Sequence, residues 1–373
     1  MVPNLRAALE EALAANPDDL AAHAAYGDLL MEQGDPRGEF VQVQLALEDP
    51  ACQGDRRRHL LHRYRMLMAN ERQWLGDLAQ HLIETNIDPH RAHLGQLNQW
   101  HWERGWLDEV NFWRLRPEGA GALAAAPVAR LLRRLGIGEG DLGGLEPAPF
   151  LRHLRYFRFG EEVDFEQGTY NCTAHAGDLS PLVALMPRLE ELHLLARDLY
   201  LKKLFALPSL TALRTLVVYH ERDVYSLDVL AENPAFASLE TLRLHPGHAY
   251  DADGFLPFDE VAALFHSPHL SSLKHLHLHT SSMGDEGCEE LVESGILERL
   301  ETLDLRFGRI TEAGVNTLLG SPHIGRLSYL SLANNQISDE GVAMLRDLDI
   351  PTVRCEDQGE EGCDFYLYSE DME

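Results

Sequence analysis

The sequence predicts an α/β solenoid, with a parallel sheet on a concave face, helices on a convex face and an α-helical N-terminal cap. Three observations carry that expectation. A short apolar pattern, L-x-x-L-x-L, occurs ten times from residue 107 onward. The first 104 residues lack it and show helical spacing with capping signals instead. The composition of the 373 residues, 45% hydrophobic and 25% charged, is that of a folded globular chain and not a disordered one. A repeat array also explains a length greater than one ordinary domain.

Residues 1–49 are the first expected segment. Leu5, Leu9 and Leu13 recur at a spacing that fits one buried helical face. Pro17 marks the start of a second helix over DDLAAHAAYGDLLMEQG, closed by Gly34. The turn DPRGEF and a third helix, VQVQLALED, follow. Asp35, Arg37 and Glu39 read as a local ion-pair network organising the helix–helix turn. Residues 50–104 are expected to be a helical connector. Its stretch RRRHLLHRYRMLMANERQWLGDLAQHL reads as solvated arginines over an apolar face, because a single basic patch on an acidic chain is a poor RNA-binding element. Trp100, Trp102, Trp106, Phe112 and Trp113 gather at the junction with the repeats. Packing of cap on first repeat would use them, and so would a binding platform.

Residues 105–356 are the expected array of about ten units. The motif stands at Leu107/Val110/Phe112, Leu132/Leu135/Ile137, Leu154/Phe157/Phe159, Leu189/Leu192/Leu194 and Leu213/Leu216/Val218. It continues at Leu239/Leu242/Leu244, Leu273/Leu276/Leu278, Leu300/Leu303/Leu305, Leu327/Leu330/Leu332 and a degenerate Ile350/Val353/Cys355. The successive spacings are 25, 22, 35, 24, 26, 34, 27, 27 and 23 residues. The L-x-L portion is a period-2 strand that sends leucines inward and the residues between them outward. In the last units a helix closes each turn: SMGDEGCEELVESG, ITEAGVNTLLG and ISDEGVAMLRDL, with Thr311 and Ser338 at N-cap positions. Neither half can bury its leucines alone, so stability comes from stacked neighbours. The two long spacings hold inserts at 160–181 and 246–259, rich in Gly, Pro, Asp and aromatics, which read either as tolerated surface loops or as arms that touch a ligand. Asp251, Asp253 and Gly254 in the second are a weak calcium-loop pattern lacking the remaining ligands. Residues 357–373 are an acidic C-terminal tail.

The repeats resemble the leucine-rich repeat family, in its long-repeat class typified by ribonuclease inhibitor. The best match is Leu327-x-x-Leu330-x-Leu332-x-x-Asn335-x-Ile337. In that family the asparagine ties neighbouring turns through backbone hydrogen bonds. Ser281 and Gly308 stand at the matching position of other units, which puts the regularity of those turns in doubt. The N-terminal segment resembles the bacterial repeat-companion domain in Asn16, Pro17, Asp19, Tyr26, Asp28, Leu30, Gly34, Asp35, Pro36, Arg37, Gly38, Glu39 and Phe40, with Leu29 where that pattern usually has an aromatic. Trp74-Leu75-Gly76 and Arg104-Gly105-Trp106 resemble segments that join this module to repeats. The resemblance implies a bacterial protein with no activity to carry over.

The formal charge is −28, from 32 basic and 60 acidic residues. It is −6 over residues 1–106 and −22 over 107–373. That balance argues against nucleic acid and against anionic membranes as partners. No apolar run reaches a membrane span, no secretory signal opens the chain, and five scattered cysteines form no CxxC pair, so a reduced, cytoplasmic protein is expected.

No nucleophile elbow, P-loop or HExxH helix occurs, so neither catalytic residues nor a cofactor is expected. The outward strand positions instead assemble a face of Arg158, His193, Tyr219, Arg243, His245, His277, His279, Asp304, Arg306 and Tyr329, with His220 and Phe307 beside them. His275, His277 and His279 alternate on one strand, and His193 and His245 are expected at equivalent exposed positions nearby. Interface-type residues gathered there point to a non-enzymatic module that binds another protein, of unidentified kind and with a basic surface if the acidity steers it. The alternatives are an immunity-type protein that neutralises a cationic toxin or nuclease, a metal-dependent hydrolase built on the histidines, and a merely solvated histidine row. A zinc site made from His245 with His277 or His279 is a further reading; parallel rings on a flat sheet count against it.

Overall fold

Alternating leucine and polar residues in an extended backbone bury one side of a strand and free the other. In the computed structural model, which describes residues 5–87, 97–160, 174–219, 225–246 and 256–359, each of the ten motifs is a strand. They are β2 (Trp106–Leu115), β3 (Arg134–Gly140), β4 (Tyr156–Gly160), β5 (Glu191–Leu195), β6 (Thr215–Tyr219) and β7 (Thr241–His245). Then follow β8 (His275–Leu278), β9 (Thr302–Asp304), β10 (Tyr329–Ser331) and β11 (Thr352–Arg354). One strand, β1 (Gln99–Glu103), was not expected. The chain divides into two compact units, residues 1–156 and 157–373.

The first unit opens with helices α1 (Leu5–Ala15), α2 (Leu20–Glu32), α3 (Pro36–Glu48) and α4 (Gly54–Leu67), followed by one-turn helices at Glu71–Leu75 and Ala79–Leu82, and a further helix, Pro117–Ala125, follows β2. Asp19 caps α2 by accepting from Ala22 N, so the helix starts after Pro17 and not at it. Of the expected apolar face of α1, Leu13 is fully buried and Leu5 is exposed. The DPRGEF segment is the first turn of α3 and not a separate turn: Asp35 accepts from Arg37 N and Pro36 occupies the first turn, where its missing N–H costs nothing. Gly38 is needed because a Cβ there would meet Gly27 O and Met31 N at 2.5 Å each, where α2 and α3 cross.

The expected Asp35–Arg37–Glu39 network does not form. Arg37 is buried, donates to Tyr26 Oη at 2.7 Å and lies over the Tyr26 and Trp106 rings, while Glu39 pairs with Arg63. Burial pushes the Tyr26 phenol up to about 12. The basic connector is interrupted at Met68–Asn70 and again at Gly76 (φ 57°), so one long helix does not form.

The hairpin β1–β2 turns through Arg104 (φ 49°) and Gly105 (φ 78°), the two left-handed residues a tight two-residue turn requires. Gln44 of α3 donates to Trp102 O and accepts from Gly105 N, clasping the turn with both ends of its amide. Trp102 is buried against Trp74 and Phe40, and Trp106 stacks on Tyr26 at 5.1 Å. The junction aromatics thus do the packing work. β1 runs antiparallel to β2 and covers its edge, and β2 pairs in parallel with β3.

In the second unit β5 to β11 pair in parallel, each with the next in sequence. Leu192, Leu216, Leu242, Leu276, Leu303 and Leu330 align across the ladders and are all buried. Helices Gly284–Glu293, Glu312–Leu319 and Asp339–Arg346 close the last units, with Thr311 and Ser338 capping the latter two. Gly287, Gly314 and Gly341 sit in their first turns; a Cβ would meet Met283 Cβ at 2.4 Å, Asp285 Oδ1 at 2.5 Å and Ile337 Cγ2 at 2.6 Å respectively. Thr280, Phe307, Asn334 and Asp357 are left-handed at the same point of four successive turns.

The asparagine does what the repeat pattern implied. Fully buried Asn335 accepts from Gly308 N and Ile310 N and donates to Leu305 O, Leu332 O and Ala333 O, all within 3.0–3.1 Å. Gln358 repeats the role one turn later, accepting from Asn335 N and Ile337 N and donating to Leu332 O.

Cys52, Cys288 and Cys355 are free and buried. No helix among the described residues is long and apolar enough to cross a membrane. Most of both inserts, the calcium-like Asp251–Gly254 stretch, His220, Cys172, Cys363 and the tail from 360 onward lie outside the described residues.

Candidate functional site

Parallel pairing in register places like positions of successive repeats side by side, so the face opposite the leucines is a set of rows. One row runs His193, Val217, Arg243, His277, Asp304, Ser331 and Arg354. A second runs Leu195, Tyr219 and His245, with the ring of His279 5.0 Å from that of His245. His245 therefore does not occupy the position equivalent to His193; it belongs two residues further along its strand. Tyr329 begins a third row, opposite Thr302.

The face is far less exposed than the alternation suggested. Arg158, Tyr219, His245, His279 and Asp304 are buried, and His193, Arg243, His277, Arg306 and Tyr329 are half-buried. Strands about 4.8 Å apart leave like-placed rings no room but against one another. Tyr219 meets His245 edge-on at 5.0 Å, and His277 stacks on Tyr329 with centroids 6.3 Å apart. The solvated, uncommitted histidine row is thereby excluded. Arg158 donates to Gly160 O close to its own backbone, and His193 lies 3.8 Å from Glu191. Phe307 is buried.

The centre is Asp304, with no exposed surface. Arg306 closes on its carboxylate with Nε 3.1 Å from both oxygens and Nη2 2.9 Å from Oδ2, and the Arg306 backbone N donates to Oδ1. His279 Nε2 lies 3.2 Å and His277 Nδ1 3.9 Å from the same Oδ2. Burial alone would raise the Asp304 carboxyl, but His279 and Arg306 against it hold it well below the usual carboxylate range. Burial pushes His277 down to about 3, the neighbouring Asp304 offsetting this only in part. Burial also raises the Tyr329 phenol. Thr302, unremarked in the sequence, supports the histidines: its Oγ1 is 3.0 Å from His275 Nδ1 and 3.5 Å from His277 Nε2. Its position opposite His275 follows from motif alignment alone.

Comparison with known proteins adds the following. The family model described as "Leucine Rich repeat" matches residues 327–345. No curated protein sequence matches the chain. Among solved structures, a Bacteroides fragilis protein is similar at 21% identity over 66% of this chain and 72% of its own, with a TM-score of 0.47. An internalin from Listeria monocytogenes is similar at 14% identity over 74% of this chain and 97% of its own, with a TM-score of 0.33. A chain of the yeast Rad7–Elc1 complex is similar at 17% identity over 64% of this chain and 66% of its own, with a TM-score of 0.37. Leucine-rich repeat proteins generally serve as protein-interaction modules and are usually not enzymes. With ten motifs realised as strands, the asparagine bridge between turns and the matched repeat, the chain is a leucine-rich repeat protein with a helical N-terminal region.

Proposed function

We propose that this chain is a non-enzymatic binding module that holds another protein against the strand face opposite its leucines. One observation carries the reading: the register from β7 to β11 gathers Arg243, His277, Tyr329 and Arg354 on β7, β8, β10 and β11, with Arg306 two residues beyond the end of β9, on the side the core does not use. Arginine, tyrosine and histidine are the side chains that anchor protein interfaces. Arg243 and Tyr329 are half-buried and Arg354 is exposed, so a partner can reach them without disturbing Asp304 beneath. His193, Tyr219, His245 and His279 would shape the floor rather than touch the partner.

The test uses the full chain as bait in its host extract, beside an Arg243→Glu/Arg354→Glu variant. The variant should lose the captured protein while its Tm stays within a few degrees of the parent. Unchanged capture by a folded variant would place the interface elsewhere.

The charge of −22 over residues 107–373 favours a second reading, an immunity-type protein that neutralises a cationic toxin or nuclease. Association would then slow steeply as salt is raised. An on-rate indifferent to salt would dismiss it.

A further inference from the structure

Among the described residues, one group of potential ligands converges to within the reach of a single ion: His277, His279 and Asp304, whose ligand atoms all lie within 4.8 Å of one another. The two histidines are i and i+2 on one strand, so both rings leave the same side of the sheet. Asp304 is the residue directly opposite His277 on the next strand. This is a different set from the His245 pairing the sequence suggested.

We propose that these three side chains form a divalent transition-metal site of the zinc class. Ligands about 2.1 Å from a tetrahedral zinc stand about 3.4 Å from one another. The His279–Asp304 edge is 3.2 Å and the His277–Asp304 edge 3.9 Å, values that bracket it. His279 Nε2 is buried and turned to Oδ2 at 3.2 Å. A buried ring nitrogen aimed at a buried carboxylate oxygen is placed to share one ion with it.

The surroundings are those of a supported site. The far nitrogen of His277 meets Thr302 Oγ1, and Arg306 fixes the carboxylate from the side of Oδ1 and Oδ2. Metal ligands are characteristically oriented by such outer hydrogen bonds. Two imidazoles and one carboxylate suit zinc, cobalt or nickel better than magnesium or calcium, which take oxygen cages. Three protein ligands leave a fourth position for water or for a donor from a bound partner.

The test takes the tag-free full chain, stripped with chelator and titrated with Co²⁺ and then Zn²⁺. The expected result is about one ion per chain, with strong visible Co²⁺ bands of a low-coordinate site that Zn²⁺ bleaches. Paramagnetically shifted proton resonances should come from two imidazoles. His277→Gln and His279→Gln should each weaken binding by more than about 100-fold, since each removes a ligand outright and a lost outer-shell partner alone costs 10–100-fold. His59→Gln, at an exposed position of α4, should leave the spectrum unchanged. Failure of the parent chain to bind either ion at micromolar concentration overturns the proposal. So does binding that persists in a folded His277→Gln/His279→Gln double variant. Should that double variant unfold, the resonances of the parent decide: shifted signals from histidines other than these two overturn it equally.

Discussion

Asn335→Ala removes a side chain that makes five hydrogen bonds, three of them to the preceding turn of the array and two within its own. The methyl group left behind cannot accept from Gly308 N or Ile310 N, and both amides stay inside. Each buried donor without an acceptor costs about 1–3 kcal/mol, so two of them cost about 3–5 kcal/mol once the three lost carbonyl contacts are included. That is a large part of the about 5–15 kcal/mol that holds a typical domain together. Gln358→Ala removes the same kind of bridge from a partly exposed place, where water can replace it, and should cost about 1–2 kcal/mol. Equilibrium urea unfolding measures both. Because neighbouring repeats share interfaces, amide hydrogen exchange should show the loss concentrated in residues 300–359. A cost below about 1 kcal/mol for Asn335→Ala, or a larger cost at Gln358, would refute the assignment of these bonds as the tie between turns.

Gly314→Ala should destabilise by about 1–3 kcal/mol, although alanine is the better helix former by about 1 kcal/mol, because the new Cβ would lie 2.5 Å from Asp285 Oδ1. A Tm equal to or above the parent's would contradict the close approach. Arg37→Lys keeps the charge but loses the planar contact with Tyr26 and Trp106; it should cost about 2 kcal/mol, read by urea titration, and a neutral result would mean that the guanidinium plane is irrelevant. His277, held near 3 by burial, stays neutral while an unfolded histidine takes up a proton below about 6.5. The unfolded state then binds the extra proton, so stability is intact above about 6.5 and falls as pH drops towards 3, by at most about 1.4 kcal/mol per pH unit. Between pH 7 and pH 5 the parent should therefore lose more stability than His277→Gln, and equal losses would show that His277 is not buried neutral.

The positions of the strands were legible because a strand and its return turn have a fixed length, and leucine at every inward site records it. The helix caps at Thr311 and Ser338 were equally plain. β1 was missed although Trp100, His101 and Trp102 alternate as a strand does, because a helical context on the N-terminal side outweighed three residues. Gln358 was missed because its unit is degenerate; counting three residues on from Cys355, as Asn335 follows Leu332, finds it. In the candidate site, motif alignment was enough to set His277 opposite Asp304. It could not show that the face is crowded, since alternation tells which side a residue takes and not how much room it finds there. His245 was assigned to the wrong row for a similar reason: it follows the last leucine of its motif, whereas His193 stands between two.

The glycines 287, 314 and 341 recur every 27 residues, as do the left-handed residues 280, 307 and 334. Each segment of that length consequently ends in the same backbone path on which it began. A copy of residues 300–326 spliced in after residue 326 would meet familiar neighbours at both seams, so the array can grow or shrink by whole units while its terminal coverings stay as they are. A lineage carrying such a chain can change how many rows it presents to a partner by unequal recombination, without first inventing a new interface between turns.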